Sequence, residues 1–238
     1  MMASMTRNTV QPNCSKKWSR QVILAAKAGA VSMSIPERCS RFAQSRDKAL
    51  DLFARKGFGQ VGMRELATYL GLTPGSLYHH YPSKQHLLLD LIEELYEELL
   101  TTVRLIEQSP DNGVNTLQVI IRAHLNLYRE MPLHFRLAER DSCCLNEEQQ
   151  LRVSHLREQY ERQLLVALGY RTLLTPHRLQ AAGHAIASLL SSAPSWWAQR
   201  TLDDQERDEL MEDLMMGAIE RLLATRNPMT PGLQASVA

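Results

Sequence analysis

The apolar residues of this chain recur every three or four positions over most of its length, which is the period of an α-helix. No run alternates apolar and polar residues as a half-buried β-strand does. The pattern therefore predicts an all-α protein. Its helices are expected over RDKALDLFARK (46–56), MRELATYL (63–70), Thr73–Tyr81, Ser83–Glu107, Asn115–Glu130, Pro132–Cys143, Glu147–Leu168, Thr175–Arg200 and Asp203–Ala224.

Residues 63–84 carry the signals of a helix-turn-helix. Gly71 follows the last apolar turn of the first helix, where a glycine tolerates the left-handed conformation that closes a helix. Thr73 is suited to cap the next helix, and Pro74 suits its first position because proline has no N–H. Pro82 ends this second helix after two turns. The alternative is an ordinary corner between two helices of an all-helical protein.

The outward side of the second helix is rich in hydroxyl and imidazole groups, which favours a DNA-recognition helix. Such a helix enters the major groove, where side chains read base edges while hydroxyls, backbone N–H groups and nearby cations hold phosphates. The candidate DNA-binding residues are Arg46, Arg64, Thr73, Pro74, Gly75, Ser76, Tyr78, His79, Tyr81 and Lys84.

The charge distribution supports a DNA-binding N-terminal part. Residues 1–89 contain 13 Lys and Arg against 4 Asp and Glu, whereas residues 90–238 contain 14 Arg against 22 Asp and Glu. The overall net charge of +1 thus hides a basic N-terminal part and an acidic remainder. This asymmetry is expected of a phosphate-binding module joined to a module that avoids DNA.

Residues 42–100 resemble the N-terminal DNA-binding domain of the TetR family of bacterial transcriptional regulators. The resemblance rests on RDKALDLFARKGF, GMRELATYLGL and, most specifically, SLYHHYPSK. It implies an obligate homodimer on a palindromic double-stranded DNA operator, and a C-terminal helical domain that binds a small-molecule inducer and so releases repression. Met33 is expected to lie close to the natural start, because the family pattern begins near Phe42.

The C-terminal helices are the expected site of ligand binding and dimerisation. Leu87, Leu88, Leu91, Ile92, Leu95 and Leu99 form one stripe of the long connecting helix, while Glu93 and Glu94 are expected to face water. The candidate ligand-binding residues are His124, Leu127, Tyr128, Phe135 and Trp196, and a pocket of this kind suggests a hydrophobic or amphipathic ligand. Core packing is the alternative role for these residues.

The last two predicted helices suggest an oligomer contact. The stretch LQAAGHAIASLLSSAPSWWAQ is rich in small residues, and Leu210, Leu214, Met215, Ala218, Ile219, Leu222 and Leu223 form a stripe on the final helix. In the family these helices pair with their twins across a two-fold axis. A purely intramolecular hairpin is the alternative.

The predicted organisation has four parts: a disordered basic arm (1–40), a helix-turn-helix domain (41–86), a ligand-binding and dimerisation domain (87–226) and a disordered tail (227–238). No apolar run approaches the roughly 20 residues that span a bilayer, so no membrane association is expected. Four cysteines, of which Cys143 and Cys144 are adjacent, do not suggest a disulfide scaffold, which favours a cytoplasmic protein.

Three other function classes remain as alternatives: a helical-bundle metalloenzyme, a thiol-based redox sensor and a helical scaffold that binds only protein. The chain has scattered histidines but no Glu-x-x-His, H-E-x-x-H, G-x-S-x-G or phosphate-binding G-x-x-x-x-G-K motif, so no enzyme activity, metal or cofactor is predicted. The GFGQVG segment matches G-x-G-x-x-G, but a charged helix precedes it where a dinucleotide site requires a buried strand.

Overall fold

A computed structural model describes residues 37–108, 115–169, 175–197 and 203–223. Within these ranges it contains α-helices and short 3-10 helices and no strand, which confirms the all-α prediction. The α-helices are α1 (Glu37–Lys56), α2 (Met63–Leu70), α3 (Pro74–His80), α4 (Lys84–Glu107), α5 (Thr116–Glu130), α6 (Pro132–Arg140), α7 (Glu147–Ala167), α8 (Pro176–Ser192) and α9 (Asp204–Leu223).

Helix ends follow local signals in the sequence. The Asn115 side chain caps α5 by accepting from the backbone N–H of Leu117. Asn146 and Gln149 form a reciprocal capping box at the start of α7. Two predicted helices end early: α6 stops at Arg140 and a 3-10 helix follows over Ser142–Cys144, and α8 stops at Ser192 before the 3-10 helix Ala193–Trp197.

The chain divides into two compact units, one up to Glu94 and one from Leu95. The division falls inside α4, eight residues later than the boundary predicted at 86. Helix α1 begins at Glu37, so the last four residues of the predicted arm are helical. The rest of that arm and the tail 227–238 lie outside the described residues. No described helix is both long and apolar enough to cross a membrane.

The N-terminal unit packs α1, α2, α3 and the first turns of α4 around one apolar core. Phe53 lies at its centre, fully buried, with the ring of Phe58 edge-on at 5.2 Å between centroids. The other three helices each contribute a buried leucine to this core: Leu66 of α2, Leu77 of α3 and Leu88 of α4. Since α3 buries only Leu77 along its length, most of its surface remains available to a partner.

The C-terminal unit is a helical bundle in which α7 packs on α8 and α5 packs on α9. Tyr160 and Leu164 of α7 and Ile186 of α8 are almost completely buried. Gly183 permits the close approach of α7 and α8, because a Cβ at this position would lie 2.9 Å from Leu165 Cδ1.

Candidate nucleic-acid interface and ligand cavity

The turn between α2 and α3 has the geometry that the sequence predicts. Gly71 has φ 70° and ψ 29°, in the left-handed region, and its N–H donates to the carbonyls of Ala67 and Thr68. Thr73 Oγ1 accepts from Ser76 N at 3.2 Å, and Pro74 occupies the first turn of α3. These contacts confirm the predicted helix stop and helix cap, and they fix the direction in which α3 leaves the turn.

The outer side of α3 is accessible to a large partner. Thr73, Pro74, Gly75 and His79 are exposed, Ser76 is half-buried, and Tyr78 is 51% exposed. His80 is exposed as well, with its ring 5.5 Å from that of His79, and our list of candidate residues missed it. The adjacent histidines were the available signal, because a helix that buries only Leu77 exposes both neighbouring positions.

The cations of the N-terminal unit differ in their availability to phosphate. Arg64 is exposed near the start of α2, and within the described residues its guanidinium has no ion-pair partner. Arg55 and Lys56 are exposed but paired, with Asp51 and Glu65 respectively. Arg64 is therefore the cation from our candidate list that the structure leaves most open to DNA.

Arg46 has a structural position, which corrects the prediction that it clamps the DNA backbone. Its side chain is only 6% exposed, its Nε lies 3.3 Å from Asp90 Oδ2, and its Nη2 contacts Glu94. The guanidinium thus joins α1 to α4 and is turned away from solvent. The partner carboxylates are distant in sequence, which hid this role.

Tyr81 is a second correction, because it is 9% exposed and does not face outward. Its hydroxyl donates to Asp90 Oδ2 at 3.1 Å. Burial, assisted by the negative charge of Asp90, raises the pKa of Tyr81, so the phenol stays protonated as a donor. The residue anchors the end of α3 to α4.

Lys84 begins α4 and is half-buried. Its Nζ donates to the carbonyl oxygens of Phe58 at 2.9 Å and of Val61 at 2.8 Å, and lies 4.4 Å from the centroid of the Phe58 ring. An ammonium group has three donors, so one remains for a phosphate after these two are used. Lys84 therefore has a structural role that we did not predict, and its DNA contact stays a prediction.

Three of the predicted ligand-binding residues form an aromatic cluster in the C-terminal unit. The ring centroid of Phe135 lies 5.4 Å from that of His124 and 5.1 Å from that of Tyr128. His124 Nδ1 is 3.2 Å from Tyr160 Oη, and complete burial lowers the pKa of His124 to about 3. The imidazole is therefore neutral at physiological pH.

The remaining two predicted ligand residues have other placements. Leu127 is buried, in agreement with the core alternative. The backbone of Trp196 belongs to the 3-10 helix Ala193–Trp197, but its side chain lies outside the part of the structure that is described.

A cavity of about 150 Å³ lies beside this cluster, between α4, α6, α7 and α8. Phe135 and Tyr160 line it together with apolar Leu95 and Leu99. Its polar side consists of Tyr96, Glu139, Arg157, Glu161, His184 and three serines of α8. The sequence pattern does not indicate Arg157, Glu161 and His184 as cavity residues, because charged residues on a helix usually lie on its solvent-facing side.

Helix α9 carries apolar residues on two sides. Met211, Met215, Ile219 and Leu223 are buried within the unit, whereas Leu210, Leu214 and Leu222 are 43%, 42% and 45% exposed. The predicted stripe is therefore divided, and its outer half follows the spacing i, i+4, i+12 along one side of the helix. Ala181 and Ala185 of α8 are exposed too.

The structure also shows where the cysteines of the redox-sensor alternative and the possible metal ligands of the metalloenzyme alternative lie. Cys143 is exposed, with its Sγ 3.6 Å from the carbonyl oxygen of Arg140, and Cys144 beside it is half-buried. Across the described ranges, no three His, Cys, Asp or Glu side chains are grouped so as to hold a metal ion.

Comparison with known proteins identifies a matching family and individual relatives. Residues 46–91 match the family model described as bacterial regulatory proteins, tetR family. The nucleoid occlusion factor SlmA of Serratia proteamaculans (strain 568) is 29% identical over 118 residues, which are 49% of this chain and 60% of that protein. The HTH-type transcriptional repressor KstR2 of Mycobacterium tuberculosis (strain CDC 1551 / Oshkosh) is 31% identical over 84 residues, 35% of this chain and 42% of KstR2.

A solved structure extends the similarity in fold. The crystal structure of AibR in complex with isovaleryl coenzyme A and operator DNA aligns with a TM-score of 0.57 at 18% identity, over 76% of this chain and 97% of that one. At this identity the likeness shows the fold. The chain spans 60% of the length of SlmA and 42% of that of KstR2.

Proposed function

Because the chain belongs to the tetR family of bacterial regulatory proteins, we propose that it is a cytoplasmic DNA-binding transcriptional regulator rather than an enzyme. It acts as a repressor, binds a palindromic operator as a homodimer, and leaves the operator when a small amphipathic ligand binds its C-terminal unit.

The observation that carries the proposal is the accessible outer side of α3. The helix is held by the Thr73 cap at one end and by Tyr81 at the other, so that Tyr78, His79 and His80 project from a fixed support. Hydroxyl and imidazole groups in this position suit base edges and phosphates. In this arrangement the N-terminal end of α3 is the part that enters the DNA major groove first, and it consists of Thr73, Pro74, Gly75 and Ser76. Arg64 contacts the phosphate backbone of the DNA.

A homodimer follows from the size of this surface and from the outer stripe of α9. One short helix contacts only a few base pairs, and two-fold proteins bind half-sites about 34–36 Å apart or at a multiple of that distance. The exposed Leu210, Leu214 and Leu222 provide an apolar face for the same residues of a second copy. An isologous contact of this kind produces a closed, symmetric dimer.

Ligand control is supported by the cavity in the C-terminal unit, and by the AibR complex, which contains both a ligand and operator DNA. A ligand releases DNA only to the extent that it binds the released form more tightly than the DNA-bound form. Of the predicted ligand residues, Phe135 lines the cavity, and His124 and Tyr128 support it through the aromatic cluster.

The test uses the full chain and duplexes selected from a random library, with binding followed by fluorescence anisotropy at several salt concentrations. We expect two protomers per palindromic duplex and an affinity that falls steeply with salt, as phosphate contacts require. His79→Ala should weaken binding to the selected duplex by about tenfold or more, the usual effect of losing a base contact.

His155→Ala is the matched control, because His155 is exposed on α7 in the C-terminal unit, and this variant should bind DNA as the wild type does. A protein that remains monomeric and binds no duplex at about 50 mM salt would contradict the proposal.

A further inference from the structure

The guanidinium of Arg157 enters the cavity wall of the C-terminal unit with most of its donors unused. Its Nε donates to Tyr96 Oη at 3.2 Å. Among the described residues, no carboxylate forms an ion pair with its two terminal nitrogens, although the side chain is half-buried. The planar fork of an arginine matches a carboxylate in bidentate geometry, so these free nitrogens offer a binding site for one.

The same side chain lines a second space. A groove of about 400 Å³, bordered by Ser142, Glu147, Gln150 and Ser154, also has Arg157 in its wall. Arg157 is thus common to the inner cavity and to the outer groove. A ligand held by this residue can place its charged end at the shared wall and its remaining atoms in the cavity.

The inner cavity limits the size and character of those remaining atoms. Leu95, Leu99, Phe135 and Ala187 supply apolar surface, and the volume is about 150 Å³. An apolar protein cavity of about this size accepts a benzene molecule. The space therefore suits an apolar group of about six carbon atoms.

From this arrangement we propose that Arg157 is the anchor for the carboxylate of a small amphipathic acid, whose short aliphatic or aromatic body occupies the inner cavity. The inference deepens the proposed function, on which it rests, by naming the chemical class of the ligand. The carboxylate receives two parallel N–H···O bonds from the terminal nitrogens of Arg157, while Tyr96 fixes the orientation of the guanidinium.

Glu139 and Glu161 are the carboxylates in the cavity lining that oppose this assignment. Glu139 is exposed, so solvent screens its charge, whereas the Glu161 carboxylate is buried in the same wall. That carboxylate already has a partner, since Glu161 Oε1 lies 2.9 Å from His184 Nδ1. Glu161 also attracts the Arg157 guanidinium electrostatically, but no ion pair joins these two side chains, so the terminal nitrogens of Arg157 keep donors for a ligand. A cationic amphipathic ligand bound to Glu161 is the competing outcome, and the experiment separates the two.

Isothermal titration calorimetry of the full chain without DNA tests the inference directly. The probes are benzoate, hexanoate and octanoate, with hexanol and hexylamine as neutral and cationic analogues of the same body. We expect at least one carboxylate to bind with a Kd on the order of 1 mM or tighter. Hexanol should bind at least tenfold more weakly, and hexylamine should show no saturable binding.

Arg157→Gln should lower the affinity for the carboxylate by about 10- to 100-fold, as expected when hydrogen bonds to a charged group are lost, and should leave the weak binding of hexanol unchanged. Arg157→Lys should restore only part of the affinity, because it keeps the charge without the fork. Arg152→Gln is the matched control, since Arg152 is exposed on the same helix and should have no effect. Circular dichroism of each variant verifies folding.

Three results would overturn the assignment: no saturable binding of any of the three acids up to about 10 mM, equal affinity for hexanol, or preference for hexylamine. Each leaves the regulator proposal standing if the protein still binds its selected duplex. Conversely, carboxylate binding that depends on Arg157 in a protein that binds no DNA would retain the site and reject the regulator.

Discussion

Replacing Arg46 distinguishes a structural arginine from a phosphate contact. In Arg46→Gln, Asp90 and Glu94 lose the guanidinium that they share. Breaking a fully buried ion pair costs about 3–5 kcal/mol, whereas exposed pairs contribute about 0–1 kcal/mol. Because Arg46 is 6% exposed but Glu94 is 33% exposed, we expect a loss of about 2–3 kcal/mol from the stability of the N-terminal unit.

Hydrogen exchange measured by mass spectrometry gives the corresponding readout. A loss of this size lowers the protection of the α1 amides by about 30- to 150-fold, since about 1.4 kcal/mol corresponds to a factor of ten. The dependence of DNA affinity on salt should keep its slope, because no phosphate contact is removed. The matched variant Arg64→Gln should do the reverse, leaving protection unchanged and reducing the slope by about 0.9. Unchanged protection together with a reduced slope in Arg46→Gln would refute our placement of Arg46.

Three further predictions concern single residues. Lys84→Met keeps the aliphatic stem but removes both hydrogen bonds to the loop carbonyls, so the free energy of unfolding measured in urea should fall by about 1.5–3 kcal/mol. The slope of DNA affinity against salt concentration should also fall by about one. An unchanged slope would mean that Lys84 makes no phosphate contact. Gly183→Ala places a methyl group against buried Leu165, and this clash outweighs the gain of about 0.5–1 kcal/mol that alanine brings inside a helix. The free energy of unfolding should fall by about 0.5–2 kcal/mol in the same assay, whereas no loss would show that α7 and α8 separate easily. His124 has a folded pKa of about 3 against 6.5 when unfolded, so below pH 6.5 only the unfolded chain gains the proton and stability falls with pH down to about 3. Between pH 7.5 and 5, wild type should lose about 2 kcal/mol more than His124→Phe, and equal losses would place the imidazole in contact with water.

The helices were predictable because their ends depend on neighbouring residues. Gly71, Thr73 and Asn115 act within a few positions of themselves, so the sequence placed those ends within one or two residues. The two early stops are different. Helix α6 was expected to reach Cys143 because nothing in the sequence marks the change to a 3-10 helix at Ser142.

The contacts of buried polar residues were less predictable, because their partners are remote in sequence. Arg46 and Asp90 are 44 positions apart, and nothing near either one indicates the pair. Glu93 was expected to face water as part of an acidic run, yet it is 6% exposed. The charged residues of the cavity wall are likewise not evident from the sequence. The residues around Arg157 on its helix are mostly polar, so nothing near it indicates that it lines a cavity.

Asp90 Oδ2 receives the Tyr81 hydroxyl and also lies against the Arg46 guanidinium, so a single oxygen atom holds two helices at once. The far end of α3 is consequently pinned, while its beginning is held by a neutral cap at the surface. Adjustment to half-sites of different sequence should then concentrate at Pro74–Ser76, with the short rod pivoting about its tyrosine end. The adaptable start of α3 and its fixed end at Tyr81 would thus lie only two helical turns apart.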